Sequence, residues 1–227
     1  MSAENMHLVR DGMVYLVALI LSICVHEFGH AWVADLFGDP LPRSQGRVTL
    51  NPLAHIDPVG TLLLPLVAFV LSIHSPAVGS RILGWGKPVQ VSLSARHMSR
   101  KLSMRTMDIL ISVAGPAMNV LFALILSGVY VGLLRFGGPS AWEFAAPVGN
   151  IVAMNLGLCV FNLIPLPPLD GGHVAVNLSS KPVGDFLGRY GSGILFVLLM
   201  AGLLKYVTYP ARVMAGWWLE HLAAWAL

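Results

Sequence analysis

Residues 13–37 form one apolar run, and a run of about 20 such residues is enough to cross a bilayer. Further runs occupy residues 59–78, 106–136, a stretch from about 145, and 190–207. A backbone in hydrocarbon has no water to bond, so its amides must be satisfied internally, as a helix does. Only 11% of the residues are charged and 56% are hydrophobic, whereas a soluble domain carries about 25% charge. The mean hydropathy is +0.74. These features predict an all-α membrane protein, a polytopic bundle of about five to six transmembrane helices. Residues 84–91, with Gly84-Trp85-Gly86-Lys87-Pro88-Val89-Gln90-Val91, alternate and read as a short membrane-associated extended segment. The whole chain, 1–227, reads as a single domain, with its motifs within about 13–178 and C-terminal helices over about 190–227. The first run is not read as a cleavable signal, because it is too long for an h-region and lacks a small-x-small site.

Inside the first run lies His26-Glu27-Phe28-Gly29-His30, an H-E-x-x-H string. Residues four apart share a helix face, so His26 and His30 can offer two imidazoles to one ion. Glu27, about 100° round the helix from His26, is placed to act as general base on a water there. Carrying an acid at mid-membrane costs about 2.5–3.5 kcal/mol on insertion scales, which favours a functional reading over a chance match. Asp35 and Asp108 sit near run ends, within reach of headgroups. Cys24 points away from the metal face and reads as a packing residue. With Cys159 also in an apolar stretch, no disulfide framework is expected.

The third run contains Ala114-Gly115-Pro116-Ala117-Met118-Asn119, in which Gly115 and Asn119 read as helix-packing devices. A short loop is expected around Glu143. Asn155 and Asn162 are seven apart, on one helix face, and both need partners in hydrocarbon. Prolines at 165, 167 and 168 then break the backbone before Asp170-Gly171-Gly172. Broken backbone at membrane depth is tolerated against protein or a wet cavity. Asp170 is therefore the natural third ligand of a His₂-carboxylate zinc site, one Zn²⁺ per chain. Residues 171–189 read as a polar connection. His55 and Asp57 fit two readings: an extra ligand with its hydrogen-bond acceptor, or a loop in which Asp57 caps a helix beginning at Pro58. His74 is expected at the interface.

Arg81, Lys87, Arg96, Arg100, Lys101 and Arg105 share one loop with no acid. Between spanning segments this reads as a positive-inside signal and not as a nucleic-acid site.

The chain resembles the site-2 proteases, intramembrane zinc metalloproteases of peptidase family M50, in a compact prokaryotic form without PDZ or CBS domains. The resemblance rests on His26 through His30, on Asn162-Leu163-Ile164-Pro165-Leu166-Pro167-Pro168-Leu169-Asp170-Gly171, on Ala114-Gly115-Pro116, on Asn51-Pro52 through Gly60-Thr61, and on the Gly84-Trp85 to Pro88-Val89 element. It covers most of residues 13–178. It implies zinc on His26, His30 and Asp170, Glu27 as catalytic base, and Asn162 near the substrate or the developing oxyanion. The expected function is endopeptidase cleavage in or near transmembrane segments of protein substrates, in a prokaryotic inner membrane. A non-proteolytic membrane metal-binding or transport protein, or an inactive homologue, is the alternative.

Overall fold

The computed structural model describes residues 3–74, 85–92 and 102–227. Among these the architecture is helical. Helix α1 (Ala3–Leu36) ends where Gly38 takes φ 93°, a left-handed turn that favours glycine. Asp39 caps the short α2 (Pro40–Ser44), accepting the Leu41 amide at 3.0 Å, with proline in the first turn. Asp57 accepts the amides of Val59 (3.0 Å) and Gly60 (2.7 Å) and starts a π-helical stretch, Pro58–Leu63, that continues into α3 (Leu64–His74). The long helices follow: α4 (Met104–Phe136), capped by Ser103, then α5 (Gly138–Asn162). The chain closes with α6 (Asp170–Leu178), α7 (Lys181–Met200) and α8 (Leu204–Ala226).

Among the described residues, four helices are long and apolar enough to cross a membrane: Gly12–Leu36 of α1, then α4, α5 and α7. Pro58–Leu71 is a shorter apolar helix. The distribution of polarity supports a membrane setting. Leu121, Leu124, Ile125 and Val129 face outward, while Ser22, Asn119 and Asn155 are fully buried. Lipid tails solvate leucine as well as a protein core does, so polar groups and small residues hold such helices together.

Pairings along α1 and α4 run in opposite order, which makes these helices antiparallel. Ser22 and His26 meet Asn119, His30 meets Ile111, and Ala34 packs with Met107 and Ile111. Their close approach depends on Gly29, where a Cβ would sit 2.7 Å from the Ala114 carbonyl oxygen, and on the fully buried Ala31. Antiparallel helices require residues 37–103 to start and finish on one side. After α3 the chain does return: the Trp85 amide bonds the Gly60 carbonyl (3.1 Å) and the Lys87 amide that of His55 (2.9 Å).

Several expectations change. Glu143 lies within α5, not in a loop. The supposed connection 171–189 is α6 and the first half of α7. The run 190–207 is divided between α7 and α8 at Gly202, φ 69°. Arg81, Arg96, Arg100, Lys101, Gly84, residues 75–78 and the His74 side chain lie outside the described residues.

Candidate metal centre

His26 and His30 project from α1 onto α4, one turn apart, and both are buried. A Cβ on Gly115 would collide with the imidazoles of both, at 2.6 Å from His30 Cε1 and 2.7 Å from His26 Cε1. The glycine of Ala114-Gly115-Pro116 therefore makes room for the rings, a tighter role than helix packing alone.

Each imidazole is fixed from behind through Nδ1. His30 Nδ1 lies 2.7 Å from the Ile111 carbonyl oxygen, which can only accept, so Nδ1 carries the proton. His26 Nδ1 lies 2.6 Å from Asn119 Oδ1. The Asn119 amide nitrogen is committed to the Ser22 carbonyl (3.2 Å) and to Asn155 Oδ1 (2.8 Å), so its oxygen faces the histidine as acceptor. Asn155 in turn donates to Ser22 Oγ (2.9 Å) and the Ile151 carbonyl (2.9 Å). In neutral rings held this way, both Nε2 atoms present lone pairs to the same point.

The third group arrives on the first residue of α6. Gly171 and Gly172 let that helix start against the preceding loop; a Cβ would lie 2.6 Å from the Ile164 oxygen at Gly171 and 2.7 Å from the Leu166 oxygen at Gly172. Asp170 is thereby aimed at the two rings, at the head of a helix and not on bare extended chain. Its Oδ2 is 3.2 Å from His26 Nε2 and its Oδ1 3.3 Å from His30 Nε2, with the two Nε2 atoms 3.0 Å apart. Asp170 Oδ2 is buried with no hydrogen-bond partner. Two lone pairs and a carboxylate this close repel one another unless a cation lies among them. Tetrahedral ligands at about 2.05 Å from zinc stand about 3.3 Å apart, which the observed separations match. The donor set therefore fits zinc, and these are the His, Cys, Asp and Glu groups among the described residues whose ligand atoms converge in this way.

Glu27 is not part of that trio. Its Oε2 accepts the Val89 amide at 3.0 Å. Glu27, the trio and Asn162 line one cavity of about 670 Å³, walled on the far side by residues 85–91. Asn162 donates its amide to the Leu158 carbonyl at 3.0 Å.

The extended segment is anchored along one edge. Besides the Trp85, Lys87 and Val89 amides, Thr61 Oγ1 donates to the Trp85 carbonyl (2.8 Å) and the Ser92 amide to Asp39 Oδ2 (2.6 Å). The buried Arg47 donates to the carbonyls of Ala54 and Lys87. The Gly86 and Gln90 amides make no hydrogen bond among the described residues.

His55 does not join the metal trio. It is buried, donates from Nε2 to the Thr49 carbonyl at 2.9 Å, and burial holds it below the ordinary imidazole range. Asp57 is a helix cap, so the capping reading of this loop stands. Cys24 is buried and donates to the Leu50 carbonyl, as a packing residue. Asp108 does not reach toward headgroups: it lines the same cavity and accepts from Asn177 Nδ2 at 2.5 Å.

Sequence reasoning read Asn119 as a packing residue and Asp108 as a run-end acid, and passed over Ile111, His173 and the Val89 amide. One signal was available: Asp108, Ser112, Gly115 and Asn119 recur at helical spacing along one face of α4.

The family model "Peptidase family M50" matches residues 14–141 and 133–203. The protein named "Putative zinc metalloprotease YwhC" of Bacillus subtilis is 34% identical over 206 residues, covering 87% of this chain and 85% of the relative. "Putative zinc metalloprotease Rip2" of Mycolicibacterium smegmatis is 32% identical over 161 residues, 70% of this chain and 54% of its own length. "Zinc metalloprotease MJ0392" of Methanocaldococcus jannaschii is 22% identical over 199 residues, covering 85% of this chain and 43% of its own. No solved structure matches. With the family model spanning most of its length, this chain belongs to peptidase family M50.

Proposed function

We propose that this protein is a zinc-dependent intramembrane endopeptidase of the site-2 type, cutting protein substrates in or beside a transmembrane segment. The observation that carries the reading is the division of labour in the cavity. Two imidazole lone pairs and Asp170 converge on one point, while Glu27, the one carboxylate of the H-E-x-x-H string, is held apart by the Val89 amide. A transport or storage site has no need of a cavity-lining acid that is not a ligand.

His26, His30 and Asp170 would hold the zinc, which when bound supplies Lewis acidity to the scissile carbonyl and its attacking water. Glu27 takes a proton from that water as its oxygen adds to the carbonyl carbon. The same carboxyl group then protonates the amide nitrogen as the C–N bond breaks. Asn162 lines the cavity as a donor for the oxyanion. An extended peptide suits the site, because a helical one hides its carbonyls within its own hydrogen bonds. The amides of Gly86 and Gln90, without a partner among the described residues, offer an edge for such a peptide. Substrates with Gly, Pro or Asn near the cut unwind at lower cost. The setting is a prokaryotic inner membrane, with the basic loop 81–105 on the cytoplasmic side.

The test is purified protein in lipid, assayed for bound zinc and for cleavage of a transmembrane substrate. Glu27→Gln should keep its zinc and lose cleavage by about four orders of magnitude or more. Cleavage by that variant at the wild-type rate would refute the mechanism.

A further inference from the structure

One acid–imidazole pair in the cavity has no part in the roles above. On α6, Asp170, His173 and Asn177 stand at i, i+3 and i+7, so they share a face one turn apart. On α4, Asp108 lies one turn before Ile111, whose carbonyl fixes His30. The two faces meet. Asn177 Nδ2 donates both to Asp108 Oδ2 and to the His173 carbonyl (2.9 Å), which pins the carboxylate against α6. His173 Nδ1 is 3.9 Å from the same Oδ2. The imidazole is half exposed and lines the same cavity as Glu27 and the metal trio. With Nδ1 turned to Asp108, Nε2 is the atom free to meet substrate. Three residues of helix advance about 4.5 Å, so His173 is placed one turn from Asp170, the distance at which a group flanking the scissile bond would sit. An acid on an inner helix face is costly unless something uses it, and the metal trio and Glu27 do not use Asp108.

We propose that His173 is a further catalytic residue, donating a hydrogen bond from Nε2 to the carbonyl oxygen of the scissile bond as that oxygen becomes negative, with Asp108 and Asn177 as positioning residues. The proposal rests on the hydrolytic reading above. The proton on His173 stays on His173; the proton that moves is the one Glu27 takes from water and returns to the leaving nitrogen. A donor on both ring nitrogens is the imidazolium, and the surroundings favour it. Asp108, facing Nδ1, raises the His173 pKa above the usual imidazole value, and burial opposes it. Asn162 spends one of its two amide hydrogens on the Leu158 carbonyl and has one left for the oxyanion, which leaves room for a second donor.

The experiment compares wild type, Glu27→Gln, His173→Ala, His173→Gln and Asp108→Asn in proteoliposomes. Zinc content, kcat, KM, the pH profile and the affinity of a peptide phosphonamidate that mimics the tetrahedral intermediate are measured. His173→Ala should keep its zinc and KM, lose about 100-fold in kcat, and bind the phosphonamidate more weakly by a similar factor. His173→Gln, a neutral donor, should recover part of the rate and lose the alkaline limb of the profile. Asp108→Asn should move that limb to lower pH, because the imidazolium loses its carboxylate. Wild-type kcat in both His173 variants while Glu27→Gln is inactive would overturn this inference alone. Zinc loss in the His173 variants would also overturn it, by making the residue structural. No cleavage by wild type, or equal cleavage by Glu27→Gln, would overturn the hydrolytic reading instead.

Discussion

The two walls of the cavity are built on different principles. The wall of α1, α4 and α6 is helical, and each imidazole in it is backed by an acceptor on α4, with Asn119 linked onward to Asn155 and Ser22. The opposite wall, residues 85–92, has no regular structure and hangs on scattered hydrogen bonds to Gly60, Thr61, His55, Arg47, Glu27 and Asp39. A metal site demands fixed geometry, and the first wall supplies it by committing buried polar groups in hydrocarbon, where partners are few. The proposed peptide site must admit varied side chains, and in the second wall the Gly86 and Gln90 amides have no partner among the described residues.

Breaking the rigid wall should have the larger effect. Gly115→Val places a branched side chain where the two imidazoles stand, and nearby backbone from two packed helices cannot yield. Zinc content should fall below detection by elemental analysis, with cleavage lost alongside it. Normal zinc in this variant would show that the rings have room to move.

Asn119→Ala tests the next layer outward. His26 loses the acceptor that fixes its tautomer and orientation, while its helix remains whole. Loss of such a partner typically lowers metal affinity about 10- to 100-fold, readable by competition with a chelator. An unchanged affinity would mean that Asn119 does not set the orientation of His26.

Much of the rigid wall was legible in the sequence, and the reason is locality. His26 and His30 are four apart on one helix, and Asp170 announces itself by the prolines before it and the glycines after it. The partners behind them were not legible in the same way. Asn119 meets His26 across 93 residues and Val89 meets Glu27 across 62, and in the second case the donor is a backbone amide, which every residue but proline possesses. α6 was hidden because Gly171 and Gly172 weaken a helix on propensity; here they let the helix start pack against backbone, so tertiary contact outweighs propensity. The break at Gly202 fell inside an apolar run, where hydropathy marks membrane depth and says nothing of a turn.

Val89→Pro addresses the adaptable wall. It removes the amide that holds Glu27 and leaves the metal trio untouched, so zinc content should be normal. A hydrogen bond to a charged group is worth about 1.5–3 kcal/mol, so cleavage should fall by about 10-fold or more. Val89→Ala, which keeps the amide, should stay near wild type. Equal rates in the two variants would remove this amide from the account of the base.

The smallest effect separates the walls by pH. His55 supports the adaptable wall, since its carbonyl takes the Lys87 amide, and its imidazole is buried with Nδ1 unpartnered. Burial places its folded pKa below the unfolded value of about 6.5. The unfolded or locally opened state then binds the extra proton more readily, so the contribution of neutral His55 is complete above about pH 6.5 and declines as pH falls below it. Hydrogen exchange provides the measurement, expressed as protection so that the intrinsic pH dependence cancels. Protection of the Lys87 and Val89 amides should fall a few-fold between pH 7 and pH 5.5, while amides in the middle of α4 keep theirs. His55→Gln removes the titrating group and retains a donor for the Thr49 carbonyl, so the selective loss at 87 and 89 should disappear. Protection that falls equally in α4 and in residues 85–92, or that falls as steeply in His55→Gln, would mean that the acid response belongs to the metal ligands and not to this loop.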